Sequence, residues 1–304
     1  MMQIKHLDLN QNVSAENLDV SRLSRKQHWD DVHVGEQACL LNSMERPRSR
    51  IKGLLNGASL KKWMSAYDDY LLWESIFPRY LTQMRDAKVL EVGSAPGEFL
   101  VQFARRFACT PYGIDYSEVG VEVNKRVFGR NGFNPGNVIH GDFFSDHFRQ
   151  QHRGCYDAVI SRGFIEHFTD VESVIERHLD LLKPGGRLIV SIPNLRGVNH
   201  VLADLLDRDA IARHNIGIMR TTAFKALFDR RDLTPLFCDY YGTFSFYLFT
   251  ADQSKARRSG LRFACKVQPF LNGAFRMLFG NKGLECRYFS PSLLYIGSKK
   301  ANVA

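Results

Sequence analysis

Val89-Leu90-Glu91-Val92-Gly93-Ser94-Ala95-Pro96-Gly97-Glu98-Phe99 is a short apolar run that ends in an acid, passes through a glycine turn and enters a helical pattern. Glycine lets the backbone approach a ligand closely. The free N–H groups and dipole at the following helix start favour a carboxylate or phosphate. The spacing is not the dinucleotide pattern G-x-G-x-x-G, so this turn alone is weak evidence for a nucleotide-like ligand.

The sequence downstream repeats the same construction. Pro111-Tyr112-Gly113-Ile114-Asp115 ends in an acid about twenty residues past Gly93, where a carboxylate can accept both hydroxyls of a ribose. Val138-Ile139-His140-Gly141-Asp142-Phe143 puts an acid beside an aromatic, which suits the edge and face of an adenine. Tyr156 to Ser161 leads into Arg162-Gly163-Phe164-Ile165-Glu166-His167-Phe168, and Arg187 to Ile192 follows the turn Leu182-Lys183-Pro184-Gly185-Gly186. Five such runs separated by helical patterns predict an α/β fold with a parallel sheet and a ligand site at the carboxyl ends of its strands.

In this order the motifs resemble the class I S-adenosylmethionine-dependent methyltransferases, in particular the small-molecule and glycan branch with a Leu-Leu-Lys-Pro-Gly-Gly turn before strand five. The likeness covers roughly residues 60–195. It implies a Rossmann-like, mostly parallel seven-stranded sheet with an antiparallel last strand and helices on both faces. It also implies S-adenosyl-L-methionine as cofactor. Glu91, Gly93, Ser94, Ala95 and Gly97 would line its methionine end, Asp115 the ribose, and Asp142 with Phe143 the adenine. Tyr116 and Arg162, beside the second and fourth strand ends, join that site. The chain departs from the family's G-x-G-x-G at the middle position, where Ala95 replaces glycine. That methyl is tolerable only at negative φ.

At 304 residues, with 44% hydrophobic residues, the chain can bury a large core. It has no apolar run of membrane-spanning length and no apolar signal core at its start, so a cytoplasmic protein is expected. Its six cysteines are dispersed without a C-x-x-C pair, as reduced core thiols are. The net charge of +9 is concentrated: residues 251–304 hold ten Lys or Arg and two acids, against 31 and 30 in residues 1–250.

An extension over residues 1–58 precedes a methyltransferase domain over 59–304. It contains His28-Trp29-Asp30-Asp31-Val32-His33, whose aromatic is expected to anchor it to the domain, and ends in a link around Arg46 to Arg50. Apolar positions from Leu60 to Met84 predict an amphipathic helix interrupted near Pro78, with Tyr67 and Tyr70 either in a core stripe, the favoured reading, or facing the ligand if this helix covers it. Residues 199–231 read as helices, and Leu236 to Phe249 and Ser292 to Ser298 as strands six and seven. The basic insertion between them, residues 251–288, interleaves cations with Leu261, Ala264, Val267, Phe270, Leu271, Phe275 and Leu278. Either it is a helical hairpin that packs its apolar side on the sheet and leaves its charges in water, or residues 255–279 meet an anionic membrane surface or a phosphate-bearing substrate; nucleic acid is disfavoured.

Methyl transfer to a hydroxyl needs alignment, exclusion of water and removal of a proton. The expected catalytic residues are His167, Glu166 as its orienting partner, and His214 in Arg213-His214-Asn215. The Lys-Asp-Lys-Glu set of ribose-methylating RNA enzymes is missing, as is an Asn-Pro-Pro-Tyr loop of amino-group nucleic-acid methyltransferases. No metal is expected, because acids are not clustered after strand four. The acceptor is expected to be a small-molecule or glycan hydroxyl, possibly on a lipid or phosphate carrier. N- or C-methylation is one alternative and a non-catalytic, nucleic-acid-binding protein another.

Overall fold

The molecule is described by a computed structural model covering residues 22–24, 26–34, 66–81, 84–252 and 254–301. The link at Arg46 to Arg50 and the first residues of the Leu60 helix lie outside these.

Seven strands form one sheet: β1 Lys88–Val92, β2 Thr110–Asp115, β3 Val138–His140, β4 Tyr156–Arg162, β5 Leu182–Pro193, β6 Leu233–Tyr241 and β7 Ser292–Lys299. Their order is β3-β2-β1-β4-β5-β7-β6. β1 pairs in parallel with β2 and with β4, and β4 with β5, whereas β7 runs antiparallel to both β5 and β6. The central strands read as continuous apolar runs because both faces are covered. Leu90, Val92, Val159, Leu188 and Val190 face one core, while Val89, Ala158, Ile160 and Ile189 face the other. Strand order reverses between β1 and β4, so their carboxyl ends diverge into a crevice, the usual ligand position in such sheets.

Three expectations are corrected. β6 starts at Leu233 and ends at Tyr241, although aromatic residues continue to Phe249. It stops at Gly242, at φ +83, where a Cβ would press on Pro291 and Asp68. The helix before β1 is continuous through Pro78 and is distorted upstream of it, as Tyr67–Leu71, a π-helical turn Leu72–Ile76 and Phe77–Tyr80. A proline ring clashes with the carbonyl four residues before it, and the wider turn relieves this. The insertion is one 25-residue helix, Lys255–Phe279, whose fully buried members are Gln268, Asn272, Gly273 and Arg276, with Leu261 half-buried against the core.

Candidate active site

The crevice is assembled from strand ends. After β1, the N–H groups of Gly93 and Ser94 donate to the Ile114 carbonyl at 3.0 and 3.2 Å, locking the turn against β2. Gly93 sits at φ +67 with Phe164 packed so close that a Cβ would lie 3.0 Å from its ring. Gly97, at φ +100, opens the helix Glu98–Phe107, and a Cβ there would collide with Asn124 Oδ1. Asn124 in turn donates to Ser94 Oγ at 2.7 Å. Ala95 is not among the residues at positive φ, so its methyl is unstrained. It points toward Gly120, whose missing side chain makes room for it and for His33.

The thirteen residues singled out in the sequence fall into three adjoining hollows. The first is lined by Gly93, Ala95, Asp115, Tyr116, Asp142, Phe143, Arg162 and His167. The second, along the glycine turn, adds Glu91, Ser94 and Gly97. A third, beyond His167, adds Glu166 and His214 among Leu195, Ala203, Leu248 and Phe249. Gly163 borders all three. Tyr67 and Tyr70 stand apart from the three hollows: Tyr67 is buried as the core reading expects, Tyr70 only half-buried, and their hydroxyls bond to Gly280 O and Asn281 Oδ1 at 2.9 and 2.6 Å.

Asp115 accepts the Ala95 N–H at 3.2 Å on Oδ2 and the Ser117 N–H at 2.9 Å on Oδ1. Each oxygen keeps a lone pair for a further donor. Glu91 is 5% exposed and its Oε2 has no partner. Burial raises its pKa to about 8, against the pull of Arg162. The Arg162 guanidinium lies 3.9 Å over the Phe99 ring.

In the turn Ile165–His167, Glu166 is fully buried and neither carboxylate oxygen has a partner. Burial holds it at about 8, so it carries its proton at neutral pH. His167 is pushed down to about 3, by burial first and then by His214, and burial lowers His214 as well. His167 Nδ1 meets the Arg213 carbonyl at 2.8 Å, and His214 Nδ1 that of Ala210. A carbonyl only accepts, so both Nδ1 atoms carry hydrogen and both Nε2 atoms keep a lone pair. The rings are 4.5 Å apart. One oxygen of Glu166 and one ring nitrogen of each histidine lie within 4.8 Å of one another. Among the described residues this is the one convergence of three metal-ligating side chains, a set able to share a proton or hold a divalent cation.

The comparisons fall on the same elements. Residues 66–236 match the family described as "Methyltransferase domain". The chain belongs to the S-adenosylmethionine-dependent methyltransferases. It is similar to a ubiquinone biosynthesis O-methyltransferase of Shewanella sp. (strain ANA-3), 27% identical over 154 residues, which are 48% of this chain and 63% of the relative. The chain thus spans less than two thirds of that relative's length. Among solved structures, MccD protein has a TM-score of 0.50 at 14% identity, covering 77% of this chain and 96% of its own. A SAM-dependent methyltransferase from Archaeoglobus fulgidus has a TM-score of 0.45 at 15% identity, covering 80% and 98%.

The residues present fit the family's cofactor. An ammonium group would satisfy the orphaned Glu91 oxygen, and the glycine turn leaves backbone open where side chains would intrude. The crevice of this methyltransferase is also lined by groups to which the sequence reading gave no place in the site. Residues 26–34 form a helix, and Arg22, Trp29 and His33 complete the first hollow. Arg22 forks onto Asp142 at 2.8 and 2.9 Å, Leu23 N–H donates to His167 O at 2.8 Å, and Ser117 Oγ donates to Asp30 at 2.6 Å. Trp29, expected as an anchor, meets His167 edge-on at 5.1 Å and borders both the first and third hollows. A glycine inside the helix Glu118–Arg130 was the available signal: Gly120 is costly there unless something packs on it.

Proposed function

We propose that the protein methylates a hydroxyl group of a largely apolar small molecule, with S-adenosylmethionine as methyl donor and the Glu166–His167–His214 cluster removing the hydroxyl proton. The observation that carries this reading is the position of His167, shared between the cofactor crevice and the hollow walled by Leu195, Leu248 and Phe249. Asp115 takes the ribose, Glu91 the ammonium, and Asp142 with Phe143 the adenine. When bound, the cofactor supplies an activated methyl carbon.

The chain's residues hold the acceptor oxygen in line, exclude water through Trp29 and the apolar walls, and accept the proton at His167 Nε2. An imidazole held at about 3 is a poor base alone. Ionisation of Glu166 beside it pairs the imidazolium as it forms and raises its basicity. The O-methylating relative favours an oxygen acceptor over nitrogen or carbon, and the reading places the protein in the cytoplasm.

The test is transfer of labelled methyl from S-adenosylmethionine to a panel of phenols, sugar hydroxyls and amines, before and after dialysis against a chelator. Labelled hydroxyl products that survive chelation are expected. Labelling of amines alone would overturn the oxygen reading. Loss on chelation with recovery on adding a divalent cation would make the cluster a metal site.

A further inference from the structure

The helix Lys255–Phe279 has two apolar faces: Leu261 packs on the core and Phe275 on Tyr67, while a second set of apolar residues faces away from the domain. Its inward face carries Gln268 and Asn272, at 0% and 1% exposure, with Arg276 beside them. Gln268 is fully engaged: it accepts the Phe246 N–H at 2.8 Å and donates to the Phe244 carbonyl at 3.0 Å and to Asn272 Oδ1 at 2.9 Å. The Arg276 guanidinium lies 4.1 Å over the Tyr70 ring. Five large apolar residues of the helix point outward: Phe263, Phe270, Met277 and Leu278 are each about 70% exposed, and Val267 is exposed beside them. Their steps of four, three, seven and one keep them on one face of the helix. The helix Val198–Leu206, which touches this one, adds the exposed Val198, Val201 and Leu205.

We infer that this face lies on an anionic lipid bilayer, with the long helix in the plane of the interface. Charge selects that occupant. The helix contains six Lys or Arg and no acid. At a rise of 100° per residue, Lys255, Arg262 and Lys266 flank one edge of the apolar stripe. Apolar side chains edged by cations match acyl chains beneath anionic headgroups. A second copy of the chain would bring cations against cations. A nucleic acid would leave the phenylalanines and Met277 without partners. No helix among the described residues is long and apolar enough to cross a membrane, so the contact is peripheral.

The placement also connects to the site. The carbonyl and N–H that Gln268 engages belong to the loop carrying Leu248 and Phe249, two walls of the acceptor hollow. A bilayer-bound helix would therefore brace the mouth used by an acceptor dissolved in lipid. This last step rests on the proposed acceptor; the surface argument does not.

The experiment is flotation of the full chain with vesicles of phosphatidylcholine alone or mixed with phosphatidylglycerol, at low and high salt. Calorimetric cofactor binding is measured in parallel as a check on folding. Binding to the mixed vesicles that weakens with salt is expected. It should fall about tenfold or more in the Phe263→Ser, Phe270→Ser, Met277→Ser variant and in the Arg262→Glu, Lys266→Glu variant, both retaining cofactor affinity. Absence of binding, equal binding to neutral vesicles, or a dimer dispersed by Phe270→Ser would each overturn the inference. Methyl transfer to a water-soluble acceptor reports separately on the proposed function.

Discussion

Asp115 and Glu166 illustrate how burial sets the work of a carboxylate. Asp115 is buried but accepts two backbone N–H groups, which oppose the upward push of burial on its pKa. Asp115→Ala removes those acceptors and, on the proposed reading, the ribose contacts with them. Calorimetry should show cofactor affinity falling by at least about tenfold, and unchanged affinity would contradict the assignment. Glu166 has no such donors and holds its proton up to about 8 instead of the usual 4.5. Between those values the folded chain binds more protons than the unfolded one, so stability falls as pH rises across the window. Glu91, also at about 8, acts in the same direction. His167, lowered to about 3 from 6.5, acts oppositely, so its contribution to stability is lost as pH falls through that lower window. Glu166→Gln should therefore flatten the alkaline decline of the melting temperature. In the wild type, kcat/KM should rise as Glu166 ionises toward pH 8, and that rise should be missing from the variant. Identical pH profiles in the two proteins would contradict the role given to Glu166.

At the scale of the element, the strands were legible because a strand covered on both faces must be apolar throughout, and five of them announced themselves in order. Their acidic ends were legible for the same reason, since a charge at the end of a buried run needs a purpose. The end of β6 was obscured by Phe244, Phe246 and Phe249, whose composition still reads as strand after Gly242 has turned the chain. The helix Lys255–Phe279 showed its amphipathic spacing, but spacing does not tell which apolar residues turn inward: Leu261 and Phe275 do, around the buried Gln268 and Asn272, while Phe263, Phe270 and Met277 do not. The glycine turn offers a direct test. Gly97→Ala must adopt φ near +100 and displace Asn124, which should cost about 1–3 kcal/mol of stability in denaturant unfolding and weaken cofactor binding as well. Wild-type stability in that variant would mean that the turn is looser than described.

Across the whole molecule, closure of the crevice comes from the chain's far end. Arg22 and Asp142 are 120 residues apart in sequence, and no local pattern encodes such a meeting, which is why Arg22 escaped the sequence reading and Trp29 was expected only as an anchor. Arg22, Leu23 and Asp30 bond to Asp142, His167 and Ser117, and Trp29 lies edge-on to the His167 imidazole, so on the proposed reading this segment covers the cofactor hollow. Arg22→Ala should speed cofactor release by about twofold to fivefold, the scale of an exposed ion pair. Trp29→Ala should speed it more, because that ring walls two hollows; stopped-flow displacement reads both, and rates equal to wild type would separate this segment from the site. The measurement that bears most directly on the central claim is methyl transfer by His167→Ala, with cofactor affinity measured on the same preparation. The account predicts turnover reduced by about 10²–10⁴-fold with cofactor affinity within a few-fold of wild type. Turnover equal to wild type would contradict it.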